Sequence, residues 1–548
     1  MMKEKVVQSL SFLNIDRDKI GELIEIPKNQ SNGDFSFPCF YLSKIKKKAP
    51  AEIAKDILKK IDKKKFERVE ASGPYVNFFV DKKIFTKEVL SKQIRIVKKE
   101  NVIIEFSQPN THKAFHVGHV RGTSLGESLA RIIELTNGKV LRANYSGDTG
   151  MHIAKWIWCY KKFHKNENVK NDEKWFASIY VEAVKKLEES KLYQEEVEDI
   201  NRKLDLKDKE LTLLWNKTRK LSINSWKNIY KELDTKFDIH FFESEFEESG
   251  KKIGKELLNK KIAKISEGAI IVDFKDHKRE DLGVLVLIRK DGTVLYGAKD
   301  LALAKKKAEL NLDKSIYVIG KAQERYVYQI FEILRLMKIK SPELIYIPVN
   351  EVRFPWGKMS SRTGENIYYS DFRESIFESA LNEVRERYPD LKEEETKKRA
   401  NAITLSVIKY PMLKQDINKN IIFNPKDEAK FEGNTGPYLL YSYVRAHNII
   451  KKSKKRNLKI SEPDESEFAL LKKISEFSSV LKESREKLLP SLIANYAYEL
   501  AKEFNEFYHK CPVINNNRES FRIRIVLRFL QTMQDCLWIL GIKSIKNM

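Results

Sequence analysis

The chain has 548 residues, 42% of them hydrophobic and 11% aromatic, so it is too long for one core and too apolar for a disordered protein. Its 103 basic residues outnumber 78 acidic ones, for a formal charge of +25. That balance fits a polyanionic partner, nucleic acid above all, although a lysine-rich proteome would give the same number.

Residues 1–97 read as a small α+β domain. "PAEIAKDILKKI" puts Ile53, Ile57, Leu58 and Ile61 on one helical face behind Pro50 in the first turn, and "YVNFFV" (75–80) reads as a strand. From 98 to 384 short β-branched strands alternate with helices: "NVIIEF" (101–106), "KVLRANY" (139–145), "SIYVIG" (315–320) and "ELIYIPV" (343–349). Such runs suit a doubly wound, Rossmann-like parallel α/β sheet buried on both faces. An insertion at about 160–300 begins as charged helices and ends as a hairpin, "LVLIRKDGTVLYGAKD", with Asp291-Gly292 as its turn. From 385 to 548 the pattern is an all-α bundle. Ile493, Ala497, Leu500, Ala501 and Phe504 share one face, Ile523, Val526, Leu530, Met533 and Leu537 another, and Gly541 stands where a C-terminal cap belongs.

The four cysteines form no C-x-x-C pair, which argues against a zinc ribbon, and no metal ligand is assigned. The first twenty residues lack a signal-peptide core and no run approaches membrane-spanning length, so the expected setting is cytoplasmic, without a membrane partner.

Three of nine histidines, His112, His116 and His119, fall within "QPNTHKAFHVGHVRG" at a strand-to-helix junction. As metal ligands, spacings of four and three would need one helix through all three, which Pro109, Asn110 and Gly118 oppose. As surface histidines they leave the spacing around Gly118 unexplained. The third reading is H-x-G-H at a nucleotide-binding turn, where a helix N-terminus attracts phosphate, imidazoles add donors and Gly118 lets a base approach the backbone. It needs a second element, and "GKMSSR" (357–362) supplies one just past the last strand, as a loop able to fold over a triphosphate. Ligands of open α/β sheets sit at such strand ends.

With these motifs the sequence resembles the class I aminoacyl-tRNA synthetases and, within them, the arginyl-tRNA synthetases. The resemblance extends over nearly the whole chain, through "EFSQPNTHKAFHVGHVRG", "RANYSGDTGMHIAKW", "LYGAKDLALAK", "GKMSSRTGENI" and "FEGNTGPYLLYSYVRAHNII". "GDFSFPCFYLSK" and "SGPYVNFF" match the family's additional N-terminal domain, and the C-terminal bundle its anticodon-binding domain. The resemblance implies an arginine–tRNA ligase that uses ATP and Mg²⁺ and activates arginine only with tRNA bound. A monomer is the expected state.

It further implies that His116, Gly118, His119, Lys358, Met359 and Ser360 bind ATP. Glu105, Asn110, Tyr296, Asp300 and Gln323 would hold arginine, and Tyr75 and Asn77 would contact tRNA. The loop reads Lys-Met-Ser-Ser-Arg, so the usual second lysine is missing at Ser361. The resemblance makes Lys113, three residues before His116, its replacement among the catalytic groups, with Arg362 as the rival. Independently of the family, Glu105 and Asp300 near one pocket would repel unless a cation sat between them, and a guanidinium fork suits paired carboxylates. Asp300 also reads as a helix N-cap before "LALAKKKAEL", and Tyr438, Tyr441 and Tyr443 as helix packing before base stacking. A small-molecule adenylyltransferase would need neither the long helical C-terminus nor the basic N-terminal domain. A non-catalytic RNA-binding descendant would lack His116, His119 or Lys358, and a synthetase for another amino acid would lack Tyr296 and Asp300.

Overall fold

The computed structural model describes every residue except 1, 28, 92–97, 356–367, 455–458 and 547–548. The chain divides into two units. One comprises Met1–Arg95, Arg445–Leu481 and Glu499–Met533; the other comprises Ile96–Val444, Lys482–Tyr498 and Gln534–Met548.

In the first unit, strands β1 (Phe35–Pro38), β2 (Arg68–Ser72) and β3 (Tyr75–Phe79) form an antiparallel sheet in the order β1-β3-β2. The predicted helix Pro50–Lys60 starts at its proline and buries Ile53 and Ile57 with Val76 and Phe78 in one core. The C-terminal segments of this unit are helical as expected. The Glu467 carboxylate is wholly buried there, and Arg518 and Arg522 satisfy it with guanidinium hydrogen bonds.

The second unit is built on β4 (Asn101–Glu105), β5 (Lys139–Ser146), β6 (Ile239–Phe242), a side sheet of β7 (Lys264–Ser266), β8 (Ala269–Asp273) and β9 (Val284–Ile288), then β10 (Lys314–Gly320) and β11 (Glu343–Val349). Five of these strands make one wholly parallel sheet in the order β11-β10-β4-β5-β6. The four runs read as strands in the sequence are all in it. Strand β6, four residues long with two phenylalanines in "IHFF", lies unpredicted inside the insertion. The chain runs outward through β4, β5 and β6, then returns on the other side through β10 and β11. The reversal between β4 and β10 opens a crevice at their C-terminal ends, the switch point at which such sheets bind ligands.

Two expectations need correction. The hairpin after β9 has no second strand. Only an isolated bridge joins Ile288 to Val294, and the helix Tyr296–Ala308 begins two residues later. Asp300 is therefore not an N-cap, since Leu295 holds that position and Asp300 lies in the second turn. In the last helix, Glu519–Ile539, Leu530 is half-buried while Ile525, Phe529 and Cys536 complete the apolar face. Gly541 does cap this helix, with φ +64°. A two-strand pairing of β12 (Val352–Arg353) with β13 (Ile421–Ile422) interrupts the otherwise helical C-terminal half. Among the described residues all four cysteines are free, and no helix is long and apolar enough to cross a membrane.

Candidate active site

After Glu105 the chain turns through three non-glycine residues of positive φ: Ser107 (79°), Gln108 (49°) and His112 (62°). Such backbone is costly for L-residues and persists where its surroundings over-determine it. Here the Gln108 N–H donates to Asn144 Oδ1 at 3.2 Å, and Ser107 Oγ lies 2.9 Å from the Tyr230 hydroxyl, which accepts from Asn144 Nδ2. His112 is wholly buried between Trp156 and Phe176, with Nε2 2.8 Å from Thr218 Oγ1. Burial pushes its pKa down to about 3. It anchors the loop and does not share a face with the other two histidines, so the three-histidine metal reading fails.

His116 and His119 begin the helix Val117–Leu135. His116 is its N-cap: Nδ1 accepts the Gly118 N–H at 3.1 Å, and His119 Nδ1 in return accepts the His116 N–H at 3.2 Å. The rings lie against each other with centroids 3.9 Å apart, tilted by 31°. Burial, then the charge of Lys113, lowers His116 to about 4, and burial lowers His119 well below the usual imidazole range. Both rings are therefore neutral near pH 7, and because both Nδ1 atoms accept, each carries its proton on Nε2. The cap turns two imidazoles into fixed donors at the positive end of a helix. A Cβ on Gly118 would come within 2.9 Å of the His116 ring, so glycine is required by the histidine as much as by any ligand.

Lys113 lies close enough to depress both imidazoles, with its ammonium 5.1 Å from the Tyr180 ring centroid. Lys358, Met359, Ser360 and Arg362 fall outside the described residues.

Glu105 and Asp300 meet in a cavity between the ends of β4, β5 and β10 and the helices Tyr296–Ala308 and Glu324–Leu336. Its apolar wall is Leu303, Ile319, Val327, Ile330 and Phe331. The Tyr326 hydroxyl donates to Asp300 Oδ2, and the buried Tyr145 hydroxyl, which has no hydrogen-bond partner among the described residues, lines the same cavity. Burial, against the Tyr326 hydrogen bond, pushes Asp300 up to about 7. The Glu105 carboxylate is paired with the buried ammonium of Lys307, and accepts from Gln108 Nε2 at 3.3 Å. The cation expected between the two acids is thus partly built in.

The other predicted arginine contacts stand around this cavity without lining it. Tyr296 packs edge-on against Tyr326 at 4.8 Å, and Gln323 sits exposed in the turn after β10. Asn110 Oδ1 accepts from the Gly147 N–H at 3.2 Å, and a Cβ on Gly147 would meet that oxygen at 2.5 Å and Glu243 Oε1 at 3.1 Å. In the first unit, Asn77 is buried with its Oδ1 bonded by Ser36 Oγ, whereas Tyr75 is half-exposed against Phe40. Tyr443 is buried and Tyr438 rests on Tyr498, in line with helix packing. Sequence reasoning missed Tyr145, Tyr326, Lys307 and Glu243. No motif spacing marks them, although a buried-strand tyrosine and an acid after an aromatic strand were visible.

The family model described as tRNA synthetases class I (R), catalytic domain, matches residues 81–425. Sheet, switch-point crevice and histidine-capped helix thus define a class I aminoacyl-tRNA synthetase. On either side, the Arginyl tRNA synthetase N terminal domain model matches 1–80 and the DALR anticodon binding domain model matches 439–548. The Arginine--tRNA ligase of Clostridium perfringens is 33% identical, over 98% of each chain, and that of Clostridium botulinum (strain Alaska E43) is 32% identical over the full length of both. The chain belongs to the arginyl-tRNA synthetase family. Among solved structures, the arginyl-tRNA synthetases of Thermus thermophilus (TM-score 0.84, 22% identity, 100% of this chain and 99% of that one) and Plasmodium falciparum (0.80, 22%, 100% and 98%) share the fold.

Proposed function

We propose that the chain is an arginine–tRNA ligase working in two steps. The carboxylate of arginine attacks the α-phosphate of ATP and releases pyrophosphate; a terminal ribose hydroxyl of tRNA then takes the arginyl group from the adenylate. Neither step needs a covalent enzyme intermediate, so catalysis rests on positioning and on donors aimed at developing phosphate charge. The Nε2–H groups of His116 and His119 supply two such donors. Lys113 and Lys358 supply positive charge, with Gly118, Met359 and Ser360 completing the ATP site. Glu105, Asp300 and Tyr296 hold the guanidinium end, and Asn110 and Gln323 border the α-carbon end.

The observation that carries this reading is an acid-floored pocket at the switch point, on the loop that ends in a pair of neutral, N-capping imidazoles. Nitrogen donors suit phosphate oxygens and do not suit a hard, oxygen-seeking cation. Mg²⁺ would therefore arrive as the counter-ion of ATP, and no residue is assigned to it. We retain 1–97, 98–384 and 385–548 as the tRNA-contacting, catalytic and anticodon-binding domains of a cytoplasmic monomer. Tyr75 offers the exposed tRNA contact, and Asn77 holds its strand.

The test is charging of bulk tRNA with each of the twenty amino acids, alongside ATP–pyrophosphate exchange with and without tRNA. Charging with arginine alone, and exchange only with tRNA, is the expected result. Exchange driven by another amino acid would overturn the pocket assignment while leaving the ATP site intact.

A further inference from the structure

Glu105 and Asp300 face the same cavity, yet their surroundings differ. The Lys307 ammonium is wholly buried, ion-paired with Glu105, and 4.2 Å from the centroid of the Tyr317 ring. Tyr317 is the register partner of Glu105 across β10 and β4, so strand pairing and helix together fix the lysine in place. Asp300 lies two helical turns earlier on the same helix, on the same face. Among the described residues its one hydrogen-bond partner is the hydroxyl of Tyr326 from the helix Glu324–Leu336, the Tyr145 hydroxyl from β5 lines the cavity unpartnered, and no cation bridges it. The remaining charged groups facing Asp300 are Glu105 from β4 and Glu243 from the turn after β6; Lys299 acts in turn on Glu243.

We propose that Lys307 is a specificity-determining residue of the amino-acid site: as the built-in counter-ion of Glu105 it leaves one acid, Asp300, for the ligand's side chain, which matches the pocket to a single guanidinium. This rests on the arginine reading above. With the lysine present, the Glu105 carboxylate is charge-compensated by the ion pair, and its oxygens offer acceptor lone pairs without an uncompensated charge. With the lysine removed, two bare acids share a buried site. Like charges so placed hold one proton more tightly, as a coupled pair. The proton kept near neutral pH blocks the carboxylate that arginine needs.

The experiment is the KM for arginine in tRNA charging from pH 6 to 9, with the KM for ATP as control, for the wild type, Lys307→Met, Lys307→Arg and the double variant Glu105→Gln/Lys307→Met. The wild-type arginine profile should turn near pH 7. Lys307→Met should move that midpoint up by about one unit, raising the arginine KM about fivefold at pH 7 and about tenfold toward pH 6, and leaving the ATP KM unchanged. Lys307→Arg should restore the profile. The double variant should bring the midpoint back toward wild type, because both charges leave together, which a merely structural lysine would not allow. A wild-type midpoint in Lys307→Met, or a double variant displaced as far as the single one, overturns the proposal. If Lys307→Met fails to fold, the midpoint of the double variant decides alone. A wild type that does not charge arginine overturns the arginine reading itself, a distinct result.

Discussion

His116 has two separable tasks, capping a helix and offering a donor, and substitution can divide them. Asparagine at 116 keeps an acceptor for the Gly118 N–H, the bond made by Nδ1 at 3.1 Å, and removes the Nε2–H. Alanine removes both. The cap is worth about 1 kcal/mol and the lost donor about 2.7–4 kcal/mol of transition-state stabilisation, or about a hundred- to a thousandfold in rate. His116→Asn should therefore lose about as much tRNA-dependent pyrophosphate exchange as His116→Ala. Its amide hydrogen exchange at Gly118 and His119 should stay within a few tenths of a kcal/mol of wild type, while alanine opens this turn by about 1 kcal/mol more. Asparagine that keeps exchange activity within about tenfold would show that Nε2 is not the donor. Asparagine and alanine opening the turn equally would show that the side-chain cap is not what holds it. The pH sign is also fixed. The folded pKa near 4 lies below the unfolded value of 6.5, so the unfolded chain takes up the proton first. This helix end is stable above pH 6.5, loses stability between 6.5 and 4, and the donor role gives no loss of rate between pH 8 and 6.

Three other outcomes are expected. Asp300, near pKa 7 in the free enzyme, must give up its proton to bind a guanidinium, so arginine affinity should fall below pH 7 by up to tenfold per unit and level above it, with calorimetry in buffers of different ionisation heat showing proton release; pH-independent binding from 6 to 8 would contradict the assignment. Gly126→Ala would set a Cβ 2.1 Å from Phe106 Cγ in a wholly buried contact, so it should cost about 1–3 kcal/mol or more and shift the loop that carries Asn110, seen as a lower melting midpoint together with weaker exchange activity. Gly147→Ala would push on Asn110 Oδ1 and Glu243, and should raise the arginine KM while leaving the KM for ATP and the melting midpoint near wild type; an unchanged arginine KM would remove Asn110 from the site.

The parallel sheet, the histidine-led helix and the terminal helices could be read directly, because each carries its own period: β-branched runs for buried strands, a 3.6-residue stripe for the helices, Gly541 for the final cap. The spacing of the histidines around Gly118 placed them at a strand-to-helix turn, where the structure has them. Missing from that reading were features whose cause lies elsewhere in the chain. Strand β6 is four residues of "IHFF", too short to show a period, and is a strand because β5 offers it an edge. Val294 and Leu295 look like a hairpin arm, but the helix they lead into buries Ala298, Leu301 and Leu303 in the core, and that burial outweighs extending one edge pair. The protonation of His116 and His119 follows from a reciprocal cap only the folded turn can make.

The amino-acid site divides along the same line. Sequence reading placed two acids, Glu105 and Asp300, near one pocket, and both line one cavity. Tertiary structure decided that one is neutralised from within, by a lysine 202 residues away that a solvated "KKK" run would have placed on the surface. Periodicity records which way a side chain faces along its own element, whereas charge compensation depends on which elements meet, and Lys307 meets Glu105 only once β4, β10 and the helix between β9 and β10 have packed.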